Sequence, residues 1–310
     1  MANKGSTQIW LEYAAARSVL GFLRILPGNV AFWFGVSVGR LAYYLLGKLR
    51  RVGLRNLELA FPDKSGAERT KILKAAFRNL GRVMAMVSKF GELNAVNLAD
   101  LIEYNVDPAF VAEYEKIKAS GRGRILLGGH IGNWELQAFS YSVVFEPISF
   151  LARKMDNPRI EEMILAIRTR FGNIQIDKTN SATQIMRVLR SGGTLGVLAD
   201  VNSHPKEGVF VPFFGIPACT ATGVAMLAIR ANAVIVPAFA IWDERRGKYF
   251  MAHDQIIEPV NSGDRKRDIE ETTALFVAAT ERIIRAYPEQ WIWIHRRWKT
   301  RPPGESDLYQ

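Results

Sequence analysis

Cysteine is nearly absent from this chain. The single one among 310 residues, Cys219, cannot form an intramolecular disulfide, so the sequence fits a reducing compartment. A cysteine-based metal site is excluded for the same reason. Neither the phosphate loop Gly-x4-Gly-Lys-Ser/Thr nor a zincin motif occurs. Cys219 lies between Ala218 and Thr220 with no base beside it and reads as a packed thiol. Acid is also short: 30 Asp and Glu against 41 Lys and Arg give a formal charge of +11. That balance favours anionic partners, whether nucleic acid, anionic lipid or an acidic carrier protein. No internal repeat, low-complexity tract or interdomain linker is visible. A hydrophobic content of 48% argues against disorder and supplies the core of one large domain or two small ones.

A long charge-free apolar run is missing too. Arg24 and Arg40 interrupt the hydrophobic stretch from Val19 to Leu49. Ile25 to Gly47 holds 23 residues with Arg40 as the sole charge, about the length of a tilted membrane span. Pro27 and Gly28 mark its helical start, and Arg40 can snorkel. Lys48, Arg50, Arg51 and Arg55 follow, which places the bulk of the chain on the cytoplasmic side. No cleavage site follows a short apolar core, so a removed signal peptide is not expected. The competing readings are an amphipathic helix lying in the interface and a buried core helix.

Ser65 to Phe90 has helical periodicity through Leu73, Ala76, Phe77, Leu80, Val83, Met84 and Val87. Lys71, Lys74, Arg78, Arg82 and Lys89 are expected on its exposed face. A strand is expected within 100–106 and a helix over 108–120. From Arg124 onward the pattern alternates. Strands are predicted at 125–127, 148–151, 174–176, 195–198 and 234–241, with an edge strand at 249–252. Helices are predicted at 134–144, 158–171, 181–190, 222–231 and 264–287. Such alternation predicts an α/β fold, a largely parallel central sheet flanked by helices. An N-terminal hydrophobic anchor helix and a helical N-terminal third precede it.

The most informative segment is Gly128-Gly129-His130-Ile131-Gly132-Asn133-Trp134-Glu135. An apolar strand ending in glycines, turning sharply and opening a helix leaves polar groups at the rim of a sheet. Asn133 is a credible N-cap. The break at Gly132 would let His130 and Glu135 converge, and a histidine oriented by a carboxylate is suited to deprotonating a hydroxyl. Singly, the histidine reads as structural, the glutamate as a helix-dipole partner and the glycines as a turn. Together they favour a site. Asp200 follows another apolar strand, and in α/β folds sites collect beyond the carboxyl ends of strands.

His130 and Glu135 form the His-x4-Glu motif of the late lipid A acyltransferases, which this chain resembles over nearly its whole length. Further matches run in order: Arg153-Lys154-Met155-Asp156-Asn157-Pro158, Arg168-Thr169-Arg170-Phe171-Gly172, Leu198-Ala199-Asp200, Val211-Pro212-Phe213-Phe214-Gly215 with Thr220, Pro288-Glu289-Gln290-Trp291 with Trp293, and His295 to Pro302. The resemblance implies transfer of a fatty acyl chain from acyl carrier protein to a hydroxyl of a lipid A precursor. The reaction would run at the cytoplasmic face of the inner membrane, with no metal, cofactor or covalent acyl-enzyme. It implies His130 as general base with Glu135 as its partner, Asp200 as a functional acid, and Arg168, or alternatively Arg170, as a functional arginine. Many members carry Asp-Gln or Asp-His where this chain has Asp200-Val201. It also implies an anchor region over 1–55 and an acyltransferase domain over 56–310. Related branches acylate other glycolipids, including phosphatidylinositol mannosides, so another acceptor, or acyl-CoA as donor, is the enzymatic alternative. A basic membrane- or nucleic-acid-binding module is the non-enzymatic one; the resemblance speaks against nucleic acid.

Other segments carry weaker expectations. Arg168 and Arg170 end a helix, where cations complement the dipole. With Arg153, Lys154 and Lys178 they would form a cationic rim for phosphates. Val209 to Ala218 reads as an apolar loop and a wall for an acyl chain. Trp291 to Lys299 alternates like a strand, then turns basic and aromatic, a pattern that fits RNA stacking or a bilayer interface; the resemblance decides for the interface. His204 is expected in solvent, and His295 is a rival base without a nearby carboxylate. Gly35-Val36-Ser37-Val38-Gly39 fits the serine-hydrolase pattern but lacks the strand-to-helix context.

Overall fold

A computed structural model describes residues 5–104, 106–151, 155–176 and 181–310. The N-terminal third is helical: α1 (Ser6–Ile25), α2 (Gly28–Leu45), α3 (Gly47–Ala60), α4 (Gly66–Lys89) and the short α5 (Ala95–Leu98). The rest alternates: β1 (Ile102–Glu103), α6 (Pro108–Ala119), β2 (Arg124–Gly128), α7 (Trp134–Val144), β3 (Ser149–Leu151), α8 (Pro158–Arg168), β4 (Ile174–Ile176), α9 (Ser181–Arg190), β5 (Thr194–Leu198), β6 (Gly208–Phe213), β7 (Ile216–Ala221), α10 (Gly223–Ala231), β8 (Val234–Asp243), β9 (Lys248–His253) and α11 (Arg265–Ala286).

Seven strands form the central sheet in the order β1-β9-β8-β2-β5-β3-β4. Only the β8–β9 pair is antiparallel. Its strands are apolar on both faces because helices cover both. Alternation along them builds two cores. Ile125, Leu127, Ile235 and Phe239 face one, with α10 and α11 residues; Leu126, Val234, Val236 and Ala238 face the other, with α6 and α7 residues. The expected α/β architecture with a mostly parallel, helix-flanked sheet is therefore present.

Three expectations change. The 23-residue span does not exist as one helix. The chain breaks at Leu46, and α2 and α3 meet at 90°. Among the described residues no single helix is long and apolar enough to cross a membrane, although the bent pair passes by length and composition together. The 209–218 segment is not a loop but the β6–β7 hairpin, turned by Phe214 (φ 53°) and Gly215 (φ 74°). Trp291, Trp293 and Trp298 do not sit at a surface: all three are sealed in the core.

The helical third packs through small residues. A Cβ on Gly35 would lie 2.4 Å from the Gly81 carbonyl oxygen, and one on Gly39 would lie 2.2 Å from that of Phe77. Backbone contact of α2 with α4 is what the Gly-x-Ser-x-Gly spacing encodes. Helix α4 opens on a capping box: Ser65 Oγ accepts from the Glu68 amide at 3.2 Å, while Glu68 accepts from the Ser65 amide at 2.8 Å. Two of its basic residues are not solvated as expected. Arg82 is buried against Phe32 and Trp242 and pairs with Glu244, and the Lys89 ammonium donates to the Arg24 and Leu26 carbonyls that end α1.

Candidate active site

Strands β2 and β5 are parallel neighbours, with Gly128 opposite Leu198 at their carboxyl ends. His130 and Asp200 each stand two residues beyond those ends, so the sheet brings them side by side. His130 Nδ1 lies 2.9 Å from Asp200 Oδ1. Asp200 Oδ2 accepts from the His130 amide at 2.7 Å and from Trp291 Nε1 at 2.8 Å. Three donors thus hold one buried carboxylate, and Gly129 leaves room for it: a Cβ there would meet Asp200 Cγ at 3.2 Å.

This geometry corrects one expectation. The carboxylate on His130 is Asp200, not Glu135. Glu135, at the first turn of α7, is bidentate with Arg168 at the end of α8; Arg168 Nε donates to Glu135 Oε2 at 2.9 Å, and the second bond joins Nη2 to Oε1. Glu135 still acts on the histidine through its charge. The physical reason is occupancy: Asp200 takes the Nδ1 side of the ring, and Arg168 takes both Glu135 oxygens.

Electrostatics follow the contacts. Burial lowers the basicity of His130, but the Asp200 charge and hydrogen bond, with Glu135 adding to them, outweigh it and raise its pKa above the ordinary value. Burial would raise the Asp200 pKa, yet His130 and the hydrogen bonds from His130 and Trp291 hold it below the usual carboxylate range. Nδ1 therefore carries the proton shared with Asp200. Nε2 makes no protein hydrogen bond among the described residues.

The turn is fastened on three sides. The Gly132 amide donates to Gln290 O at 3.0 Å and the Asn133 amide to Ala240 O at 2.8 Å. Asn79, buried on α4, donates to Gly132 O at 2.9 Å. Gly132 is at φ 60°, and a Cβ there would strike Ala240 O at 2.0 Å, so only glycine fits. Asn133 caps α7 by accepting from the Leu136 amide at 3.0 Å and is wholly buried, which makes it a supporting residue rather than a binding one. Sequence reasoning missed Asn79, Trp291 as a partner of Asp200, and Gln290. Only the motif Pro288-Glu289-Gln290-Trp291 hinted at the last two.

A cavity of about 560 Å³ opens beside this pair. His130, Glu135 and Arg168 line its polar end; Phe139, Ile148 and Phe150 line its apolar depth. Such a cleft, apolar with a few convergent polar groups, suits an amphiphile. Val201 borders it as well. Other expected site residues lie elsewhere. Arg170 does not line the cavity; its guanidinium donates to Phe90 O at 3.0 Å and to Gly91 O. Arg153, with Lys154 and Lys178, lies outside the described residues. The β6–β7 hairpin packs on the opposite core and supplies no wall to the cavity among the described residues. His295 accepts from the Asn202 amide at 2.9 Å, and burial lowers its pKa. His204 is exposed. Cys219 is buried.

The chain matches known proteins over nearly its full length. The family model described as bacterial lipid A biosynthesis acyltransferase covers residues 4–300. The lipid A biosynthesis lauroyltransferase of Escherichia coli (strain K12) is 29% identical over 304 residues, spanning 97% of this chain and 95% of the relative. The palmitoleoyltransferase of the same organism is 27% identical over 290 residues, 92% of this chain and 90% of its own. Its myristoyltransferase is 26% identical over 307 residues, covering 97% and 90%.

Proposed function

The chain belongs to the bacterial lipid A biosynthesis acyltransferases, enzymes with a glycolipid acceptor, and from that premise we propose that it moves a fatty acyl chain from acyl carrier protein to a hydroxyl of a lipid A precursor, with His130 as general base. The observation that carries this reading is the His130–Asp200 hydrogen bond of 2.9 Å at the mouth of an apolar cavity.

In this mechanism the acyl tail lies in the cavity and its thioester carbonyl rests beside His130. Nε2 takes the proton of the acceptor hydroxyl as that oxygen attacks the carbonyl carbon. Asp200 stabilises the imidazolium, as a buried acid partner does in hydrolytic triads. The tetrahedral intermediate collapses, the carbon–sulfur bond breaks, and Nε2 returns the proton to the leaving thiolate. No protein nucleophile is acylated. The His130, Gly132 and Asn133 amides are already committed to other acceptors. Arg168 lines the same cavity and is the cation proposed to face the oxyanion or an acceptor phosphate, and Glu135 fixes its guanidinium in place.

Membrane seating belongs to the same proposal. Helices α1 and α2 turn Trp10, Phe22, Ile25, Trp33, Leu41 and Leu45 outward, while the other side of α2 packs on α4. Such an outer face suits an interfacial position at the inner membrane rather than a span.

Purified protein supplied with acyl-carrier-protein thioesters and a tetra-acylated lipid A precursor is expected to give an acylated product by mass spectrometry. His130→Ala should cut turnover roughly 10²–10⁴-fold without unfolding the protein. Glu135→Ala should also cut turnover, because it releases Arg168. Wild-type turnover by folded His130→Ala would remove the mechanism.

A further inference from the structure

Three residues of the carboxyl-terminal segment lie across the His130 turn as a short strand would. The Ile292 amide donates to His130 O at 3.0 Å and the Gly132 amide to Gln290 O at 3.0 Å, with Ile131 and Trp291 bridged antiparallel between them. Gln290 is pinned in turn. Its side chain accepts from the Trp242 amide and donates to the Trp242 carbonyl, both at 2.9 Å. Asn79 Nδ2 donates to the Gln290 backbone oxygen at 3.3 Å. In this register the Trp291 indole, 1% exposed, reaches Asp200 Oδ2 at 2.8 Å. One segment thus holds the backbone of His130 and the side chain of Asp200 together, although Trp291 and Asp200 are 91 residues apart.

An indole N–H can only donate, whereas a hydroxyl could turn and accept from a protonated acid. Trp291 therefore favours the ionised carboxylate and keeps Oδ2 occupied whatever the charge on His130, leaving Oδ1 for Nδ1. Sharing has a second effect. A carboxylate that spreads its charge over three donors pulls less strongly on any one of them. The other charged or titratable groups around the pair are Glu135 of α7, bound to Arg168 of α8, and His295 and Arg297 of the carboxyl-terminal segment. Among the described residues none of these donates a hydrogen bond to Asp200, and the indole is the one donor that does not belong to His130.

Resting on the acyl-transfer reading above, we infer that Trp291 is a positioning residue: its indole fixes Asp200 against Nδ1 of His130 and tempers the pull of that carboxylate on the imidazole. Both effects serve the reaction. A fixed Asp200 keeps Nε2 aimed at the acceptor hydroxyl, and a tempered one lets Nε2 hand the proton on to the departing thiolate. Without the indole the carboxylate bears harder on Nδ1, and the imidazolium is held too tightly.

The variant that tests this is Trp291→Phe, which keeps an aromatic ring in the core and removes the donor. Two readouts on the full chain are needed. The first, which needs no substrate, is NMR titration of the His130 ring, whose signal among the four histidines is the one missing from His130→Ala. Its midpoint should rise by about half a unit to one unit, because one hydrogen bond to the carboxylate is lost. The second is the pH–rate profile of acyl transfer. Its acid limb should move up with the ring titration, and kcat at the plateau should fall about tenfold with KM nearly unchanged. Simple loosening of the core would instead admit water, weaken the Asp200–His130 pair and send the midpoint down. A folded Trp291→Phe whose midpoint falls or stays put, or whose kcat is that of the wild type, overturns the inference. In an Asp200→Asn background the same change should no longer raise the midpoint. If Trp291→Phe does not fold, the wild-type indole decides. Trp134, whose ring centroid is 5.2 Å from that of His130, is identified by the indole signal lost in Trp134→Phe. Among the remaining indole N–H signals one should follow the His130 midpoint and move upfield in folded Asp200→Asn; none doing so overturns the inference. If the midpoint rises in Trp291→Phe while the wild type transfers nothing, the acyl-transfer reading falls and the hold of Trp291 on Asp200 stands.

Discussion

His130 and Asp200 are linked by charge as well as by geometry, and this makes the base assignment testable by titration. Burial lowers the His130 pKa; the Asp200 charge and hydrogen bond raise it, and Glu135 raises it further. Asp200→Asn removes the charge and leaves burial opposed by Glu135 alone, so the pKa must fall. Because the proposed base acts in its neutral form, wild-type kcat/KM should climb with pH through a value above the ordinary 6.5. In Asp200→Asn that acid limb should move to lower pH, and the plateau should drop roughly 10²–10⁴-fold. A pH–rate profile of both proteins decides the matter; an acid limb that does not move counts against His130 as the titrating group. The sequence showed both residues, each just past a strand, and it showed Arg168. It did not show who pairs with whom. Glu135 is five residues from His130 and Asp200 seventy, and only the β2–β5 register makes the distant one the neighbour.

Periodicity placed most helices and strands because burial on both faces of the sheet leaves a plain apolar signature. It failed where another force ruled. Pro212 and Pro217 made the β6–β7 hairpin read as a loop, yet the two prolines pair directly with each other across it, and an isolated ribbon leaves edges where proline is tolerated. The glycines of α2 offered a false catalytic motif because their purpose is contact with α4, which follows in the sequence after the whole of α3. Their role gives a prediction of opposite sign to the usual rule. Glycine to alanine inside a helix ordinarily stabilises by about 1 kcal/mol. Gly21 in α1 has nothing within 4 Å of a new Cβ, so Gly21→Ala should be neutral or stabilising. Gly39→Ala places that atom 2.2 Å from a backbone carbonyl that cannot swing aside. It should destabilise by about 1–3 kcal/mol, as overpacking does. Thermal unfolding of the two variants checks this. Equal midpoints would mean that α2 and α4 are not in backbone contact.

For the molecule as a whole, the proposed seating of a chain of charge +11 on a lipid surface is open to test. The hydropathy of 25–47 suggested one crossing helix, but hydropathy sums over a segment and cannot see a 90° bend or a face already taken by α4. What remains is a one-sided apolar surface on α1 and α2 beside a basic body. Two contributions then act on binding to anionic vesicles: Coulomb attraction, which salt screens within about 8 Å at physiological ionic strength, and burial of exposed apolar side chains, which salt does not weaken. Trp33 and Leu41 are more than half exposed on α2, at 61% and 57%. Replacing both with aspartate removes two large side chains, each worth about 1.5–3 kcal/mol when buried. The vesicle partition constant measured by cosedimentation at high salt should fall about a hundredfold or more on that scale, whereas the wild type should stay largely bound. The variant should remain folded, since neither side chain packs in the core. If high salt alone releases the wild type, and the double variant binds at low salt as the wild type does, then basic charge is the anchor and the apolar face of α1 and α2 is not.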